Sequence, residues 1–231
     1  MAGVIVEEGR AVPEQEPVRV LIVDDDPLVR ASLRHALGGT SELAVVGETG
    51  DSGAALDAVR ELSPRVVLLD LGMPALDGRT TTERLRGQAG APEVIVLTTF
   101  GADELVLSAL RAGAAGFLLT DTARERVVTA VRQVASGEPM LPAGVTRRLI
   151  DFAAPRGRPA RRERAQQALA RLTPREREVA IEVAEARRTA EIAAHLQLPA
   201  ASAEAVLGRA LAKLDLNNRV QLALLVHDAE D

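Results

Sequence analysis

Short apolar runs that stop at a polar side chain recur along the first part of this 231-residue chain, and they narrow its possible folds most. Val20-Leu21-Ile22-Val23 ends in Asp24-Asp25-Asp26, and Val66-Val67-Leu68-Leu69 ends in Asp70. Val94-Ile95-Val96-Leu97 ends in Thr98, and Gly116-Phe117-Leu118-Leu119 ends in Thr120. A run that is apolar throughout and too short for a core helix reads as a parallel strand buried on both faces. A further strand is expected over 43–47. Helical patterns lie between the strands. The first opens at Pro27 and stops at Gly38-Gly39; the others cover about 52–62 (capped by Asp51 or Ser52), 78–87, 102–112 and 121–135. Five βα units in a row predict an α/β domain, a doubly wound five-stranded parallel sheet with helices on both faces. Sites in such sheets form beyond the carboxyl ends of the strands, where Asp24, Asp25, Asp70, Thr98 and Thr120 all fall.

The remainder divides by composition. Residues 1–17 read as a loose acidic tail, 18–137 as the α/β domain, and 138–171 as a basic linker rich in proline and arginine, part of it (about 144–152) helical. From Leu172 to residue 231 the pattern is all helical. Thr173, Pro174 and Glu176 form an N-terminal capping signature for a helix to about Ala186. Further helices are expected over 189–196, from Pro199 to Leu214, and from Asn218 to near Asp228. Ile181, Val183, Ile192, Leu196, Leu198, Val206, Leu211 and Leu214 would supply the core. Two short helices joined by a tight turn inside a four-helix unit suggest helix-turn-helix.

Composition removes several function classes. With no cysteine, neither disulfides nor thiolate metal sites form. Three Phe and no Tyr or Trp leave no platform for stacking single-stranded bases. No apolar run reaches membrane-span length, so a cytoplasmic protein without membrane contact is expected.

Carboxylates from Asp24, Asp25 and Asp70 brought to one sheet edge repel unless a cation sits between them, and Mg²⁺ suits an all-oxygen site. The carbonyl of Gly72 is a further candidate ligand. An aspartate there can attack a phosphoryl group and form an acyl phosphate, with the Thr98 hydroxyl meeting the phosphate oxygens. Val23-Asp24-Asp25, Leu69-Asp70-Leu71-Gly72-Met73-Pro74, Asp77-Gly78, Leu97-Thr98-Thr99 and Ala112-Gly113-Ala114-Ala115-Gly116-Phe117 make this region resemble the receiver domain of bacterial response regulators, a flavodoxin-like fold. The resemblance implies Asp70 as phosphoacceptor, Asp24 and Asp25 as metal-site acids, Thr98 and Phe117 as switch residues, and a sensor histidine kinase or another phosphodonor as partner. Thr120 departs from it: family members carry a lysine there, and Lys213 is this chain's only lysine. The expectation is that Asp70 is phosphorylated poorly, or that phosphorylation is weakly coupled to shape. Arg124, one helical turn on, is the candidate replacement cation.

Leu172-Thr173-Pro174-Arg175-Glu176-Arg177-Glu178-Val179, Ala190-Glu191-Ile192-Ala193-Ala194-His195-Leu196, Leu211-Ala212-Lys213-Leu214-Asp215-Leu216 and Asn218-Arg219 make the second region similar to the NarL/FixJ (LuxR-type) helix-turn-helix domain. The similarity implies four helices, the third entering the major groove of double-stranded DNA and the fourth forming a homodimer contact. Family members show a Thr-Val-Lys-Thr-His-Val type segment on the third helix. Here it is Ser202-Ala203-Glu204-Ala205-Val206-Leu207, with a carboxylate in place of the lysine. From Leu172 onward there are seven basic and ten acidic residues, an unfavourable balance for gripping phosphates. Ser202, Glu204 and Ala205 face the bases in this reading, and Arg187, Arg188, Arg209 and Lys213 are the candidate phosphate contacts. His195, among apolar neighbours, reads as structural.

The leading reading is therefore a DNA-binding transcriptional regulator of a two-component system with an atypical receiver whose output need not depend on phosphorylation. The runner-up is a protein-interaction regulator, dimerising with itself or a paralogue, whose grip on DNA has been lost. An enzyme is not expected: an aspartyl-phosphate phosphatase needs a second acid two residues after the nucleophile, where this chain has Gly72, and a lysine.

Overall fold

The computed structural model describes residues 16–73, 78–88, 90–98, 103–141 and 159–230. Most of the tail, Pro74, Asp77, Thr99 and the expected helix over 144–152 lie outside them. Five parallel strands, β1 (Val18–Val23), β2 (Leu43–Thr49), β3 (Val66–Asp70), β4 (Glu93–Thr98) and β5 (Gly116–Leu119), form one sheet in the order β2-β1-β3-β4-β5. Helices α1 (Pro27–Leu37), α2 (Ser52–Leu62), α3 (Gly78–Arg86), α4 (Asp103–Arg111) and α5 (Arg124–Ala135) follow the strands. Local chemistry sets their ends. Asp26 accepts from the Leu28 N–H ahead of Pro27, and Asp51, not Ser52, caps α2 by accepting from Gly53 and Ala54. Alternate side chains of each strand feed opposite faces. Leu21, Val23, Val67, Leu69 and Val96 pack with α2, α3 and α4, while Val20, Ile22, Leu68, Ile95 and Leu97 pack with α1 and α5.

The second unit is helical: α6 (Pro159–Leu169), α7 (Pro174–Ala184), α8 (Thr189–His195), α9 (Ala200–Leu214) and α10 (Arg219–Glu230). The capping box expected at Thr173 and Glu176 is complete. Two expectations are corrected. The stretch 138–171 is not a tether throughout: α6 occupies part of it and buries Ala165 and Leu169, one turn apart, in the second core, while its arginines stay exposed. Met140 also bridges to Gly116, and the Phe117 N–H donates to its carbonyl at 2.9 Å, so the chain leaving α5 lies along the edge of β5. Ile181 is 42% exposed, and Val179, Leu222 and Val226 fill the core instead.

The two units are docked through α10. Its Leu222, Val226 and Ala229 belong to its own core, whereas Val220 joins the receiver-side cluster that holds Leu110 and Phe117. Polar bonds frame the contact. The Asn218 amide donates to the Gly113 carbonyl (2.7 Å), Gln221 to the Arg111 carbonyl (2.9 Å), and buried Arg86 to the Asn217 carbonyl (2.8 Å). Arg111 pairs with Asp228 at 2.8 Å, and Arg219 with Glu138 at 2.8 Å. Gly113 sits at φ +109°, and a Cβ there would lie 3.2 Å from Arg86 and 3.3 Å from Asn217, so a side chain would crowd this approach.

Arg219 is buried, with only 6% of its side chain exposed, so removing its carboxylate strands a charge. The Glu138→Ala variant should weaken docking by about 1–3 kcal/mol. Small-angle scattering should then give a larger radius of gyration than wild type, with unchanged helical circular dichroism.

Candidate functional site

Strand order creates the site. The chain leaves β1 toward β2 on one side and reaches β3 on the other, so the loops after β1 and β3 diverge and leave a crevice at the switch point. Val23 pairs with Leu69, which sets Asp24 and Asp70 side by side at that crevice. Ligand oxygens of Asp24, Asp25 and Asp70 lie within 4.8 Å of one another. Asp24 is buried, Asp25 exposed and Asp70 half-buried. The Asp26 N–H donates to Asp24 Oδ1 at 2.9 Å, and the backbone at Leu71 and Gly72 donates to Asp70. A Cβ on Gly72 would come within 3.1 Å of Asp70 Oδ2. Thr98, buried, ends β4, where the Leu71 N–H donates to the Leu97 carbonyl and the Thr120 N–H to the Thr98 carbonyl, both at 3.0 Å. Phe117 is buried in the sheet core, and Thr120 is exposed at the end of β5.

The electrostatics follow from this crowding. Burial first, then the charges of Asp70, Asp25 and Asp26, push the Asp24 carboxyl from 3.8 up to about 6, against the pull of the Asp26 N–H. Burial and Asp25 likewise push Asp70 up, opposed by the bonds from Gly72 and Leu71. Among the described residues no ion pair is made to any of the three acids. Arg124 does not serve: its Nε donates to the Ala36 carbonyl at 3.0 Å and its guanidinium lies against Gly39, held at the end of α1. The guanidinium beside the acids belongs to Arg30, which donates to the Asp24 carbonyl at 2.6 Å and lies 3.2 Å from where a Gly50 Cβ would sit. Sequence reasoning missed Arg30, because nothing at its position in α1 signals that its side chain turns back to the strand end.

In the second unit, α9 presents Glu204, Ala205 and Arg209 to solvent with Ser202 partly covered, while Ala203, Val206 and Ala210 face the core. Of the four expected phosphate contacts, two are already engaged. Lys213 Nζ lies 2.7 Å from the buried Glu176 carboxylate, and Arg187 pairs with Glu182 at 2.5 Å and Glu185 at 2.8 Å. Arg188 and Arg209 make no ion pair among the described residues. The Lys213 bond, with the backbone bond from Thr173, holds Glu176 down to about 2. His195 Nδ1 sits 2.9 Å from both oxygens of buried Glu182, and that bond, with Arg187, holds the carboxyl low. His195 is thus tied into the scaffold that supports α8.

Known proteins share both units. The response regulator receiver domain family matches residues 20–132, and the luxR family of bacterial regulatory proteins matches 170–226. The nitrate/nitrite response regulator protein NarL of Escherichia coli is 32% identical, over 92% of this chain and 96% of its own length. The transcriptional regulatory protein LiaR of Bacillus subtilis is 31% identical, over 91% and 97%. A solved structure of the Salmonella typhimurium RcsB response regulator superposes with a TM-score of 0.55 at 26% identity, covering 90% of this chain and 97% of that one. A receiver sheet followed by a helix-turn-helix unit defines a two-component response regulator that acts on transcription. The chain belongs to the NarL/FixJ (LuxR-type) family of these regulators, and its relatives are transcriptional regulators rather than enzymes. No helix among the described residues is long and apolar enough to cross a membrane.

The folded chain binds a proton at Asp24 between about pH 4 and 6 that the unfolded chain lacks, so ionising Asp24 destabilises the fold above that window. Asp24→Asn should therefore melt higher than wild type near pH ~7.5 in chelator, and the gap should narrow toward pH ~5. Calorimetric melting at both pH values checks this.

Proposed function

We propose that Asp70 is the phosphoacceptor of an acid site that takes up phosphate inefficiently, and that the phosphorylated chain undocks to grip DNA. The observation that carries this is the convergence of three carboxylates without an ion pair. Receiver domains bind Mg²⁺ at such a site, and the donor set here fits: oxygen ligands only, with the Asp24 carboxyl pushed up to about 6 by burial first and then by its acidic neighbours, a rise that a cation would reverse. Asp24, Asp25, Asp70 and the Gly72 carbonyl would hold the ion, which supplies positive charge to offset the acids and the incoming phosphoryl oxygens. An Asp70 carboxylate oxygen then forms a bond to phosphorus as the bond to the donor's leaving group breaks, the electron pair departing with that group. Thr98 donates its hydroxyl to a phosphoryl oxygen. Thr120 offers a hydroxyl where family members carry an ammonium, and Arg124 is committed to α1.

The docked arrangement bears on dimerisation and DNA. The receiver covers one face of α10, the helix that resemblance assigns to the homodimer contact. Separation of the units frees that face, and two copies then set two α9 helices against double-stranded DNA. Arg188 and Arg209 are the phosphate contacts, with Ser202, Glu204 and Ala205 toward the bases. The alternative of an interaction regulator without DNA binding is not favoured by relatives that are transcriptional regulators. A sensor kinase or a small phosphodonor supplies the phosphoryl group, and the site of action is the cytoplasm.

Incubation with acetyl phosphate and Mg²⁺, followed by intact-mass measurement, tests the receiver half. The expected result is a small labelled fraction in wild type, more in Thr120→Lys and none in Asp70→Asn. Full labelling of wild type would contradict it. Gel shifts across a salt series test the other half. Glu204→Lys should raise non-specific affinity and steepen the salt dependence by about one counterion. No shift by wild type or by this variant at low salt, with folded protein, would contradict DNA binding.

A further inference from the structure

We propose that the cavity between the two units is a binding site for a small monocarboxylate with an aromatic or short aliphatic body. The cavity has a volume of about 190 Å³. Leu110 of α4 and Leu141 beyond α5 wall it from the receiver; Val183 of α7 and Val220, Ala223 and Leu224 of α10 wall it from the other side. A dry cavity of ~150 Å³ with walls of this kind accommodates a benzene ring, so the space here suits a body of that size and little more. Its walls are mainly apolar, and the polar side chains at it are Gln133, which donates to the Pro139 carbonyl, Glu138, Arg188, Arg219 and His227.

The polar lining selects the head group. Arg219 is spoken for, bonded to Glu138, Thr189 and the Arg187 carbonyl. Glu138 is in turn neutralised by Arg219, which leaves no unpaired carboxylate there to attract an amine. Arg188 also lines the cavity, is exposed, and has no ion pair among the described residues. A single available guanidinium matches a carboxylate by charge and by its two parallel donors. A dianion such as a phosphate monoester would find one guanidinium there not already held by a carboxylate.

The ligand touches both units, so it favours the docked chain over the separated one. That consequence rests on the reading that separation precedes DNA binding; the binding itself does not. It would give a receiver with a weakened phosphate site a second input.

Titration calorimetry on the full chain, without DNA, tests the site with phenylacetate and 2-phenylethanol. Wild type should bind phenylacetate one to one, about tenfold tighter than the alcohol. Arg188→Gln should lose that preference while its affinity for the alcohol stays within about twofold of wild type. Ala223→Phe, which fills the cavity, should lose both ligands. No binding of phenylacetate at millimolar concentration overturns the proposal, as does an undiminished acid preference in Arg188→Gln or binding retained in a folded Ala223→Phe. Should Ala223→Phe misfold, the Arg188→Gln comparison still decides, since that side chain is exposed. Because no DNA is present, failure here leaves the DNA-binding reading standing, and failure of a gel shift leaves this site standing.

Discussion

Like charges forced together at a sheet's switch point are the constraint on which the rest of this molecule turns. Asp24 and Asp70 cannot avoid each other, because β1 and β3 are neighbours in register and both strands end there. The apolar residues that precede them bury the strands on both faces, so the hydrophobic core fixes the separation of the acids. The energy of folding the core thereby holds a repulsive arrangement in place, and a bound cation relieves it. At the end of β5 stands the Thr120 hydroxyl, and the guanidinium of Arg30 is anchored to the Asp24 backbone carbonyl. The three acids are thus left close together with no ion pair among the described residues.

Coupling between the halves runs through packing. Val220 of α10 belongs to the same buried cluster as Phe117 and Leu110, so one continuous core spans the edge of the receiver and the start of the last helix. Around it three bonds run from side chains to backbone carbonyls, which demand correct positions of whole elements, beside the ion pairs Arg111–Asp228 and Arg219–Glu138. A shift of α4 therefore meets α10 directly. The same docking leaves a cavity at the seam.

Much of this was legible in the residues. Strand ends, the opening at Pro27 and the cap at Thr173 act locally, so elements and the acid cluster could be read from the residues. Tertiary reach was not legible. Proline and arginine density hid α6, which is held by Ala165 and Leu169 in the core, Ala168 beside them and the Gln166 bond to the Ala229 carbonyl. Arg124 and Arg30 look alike in sequence, and only the fold turns one to α1 and the other to Asp24. Lys213 reads as a free cation because Glu176, which holds it, lies 37 residues back in α7, whereas Arg187 is held by Glu182 and Glu185, close by in the chain. Helix α10 shows its two apolar faces in its pattern, but nothing there says that the receiver takes one of them.

Anomalous diffraction from crystals soaked in Mn²⁺, a scatterer that substitutes for Mg²⁺ in oxygen sites, tests the central claim most directly. The account predicts a peak within coordination distance of Asp24, Asp25 and Asp70 together. A fully soaked crystal with no peak there, or with the three carboxylates turned away from one another, would contradict it.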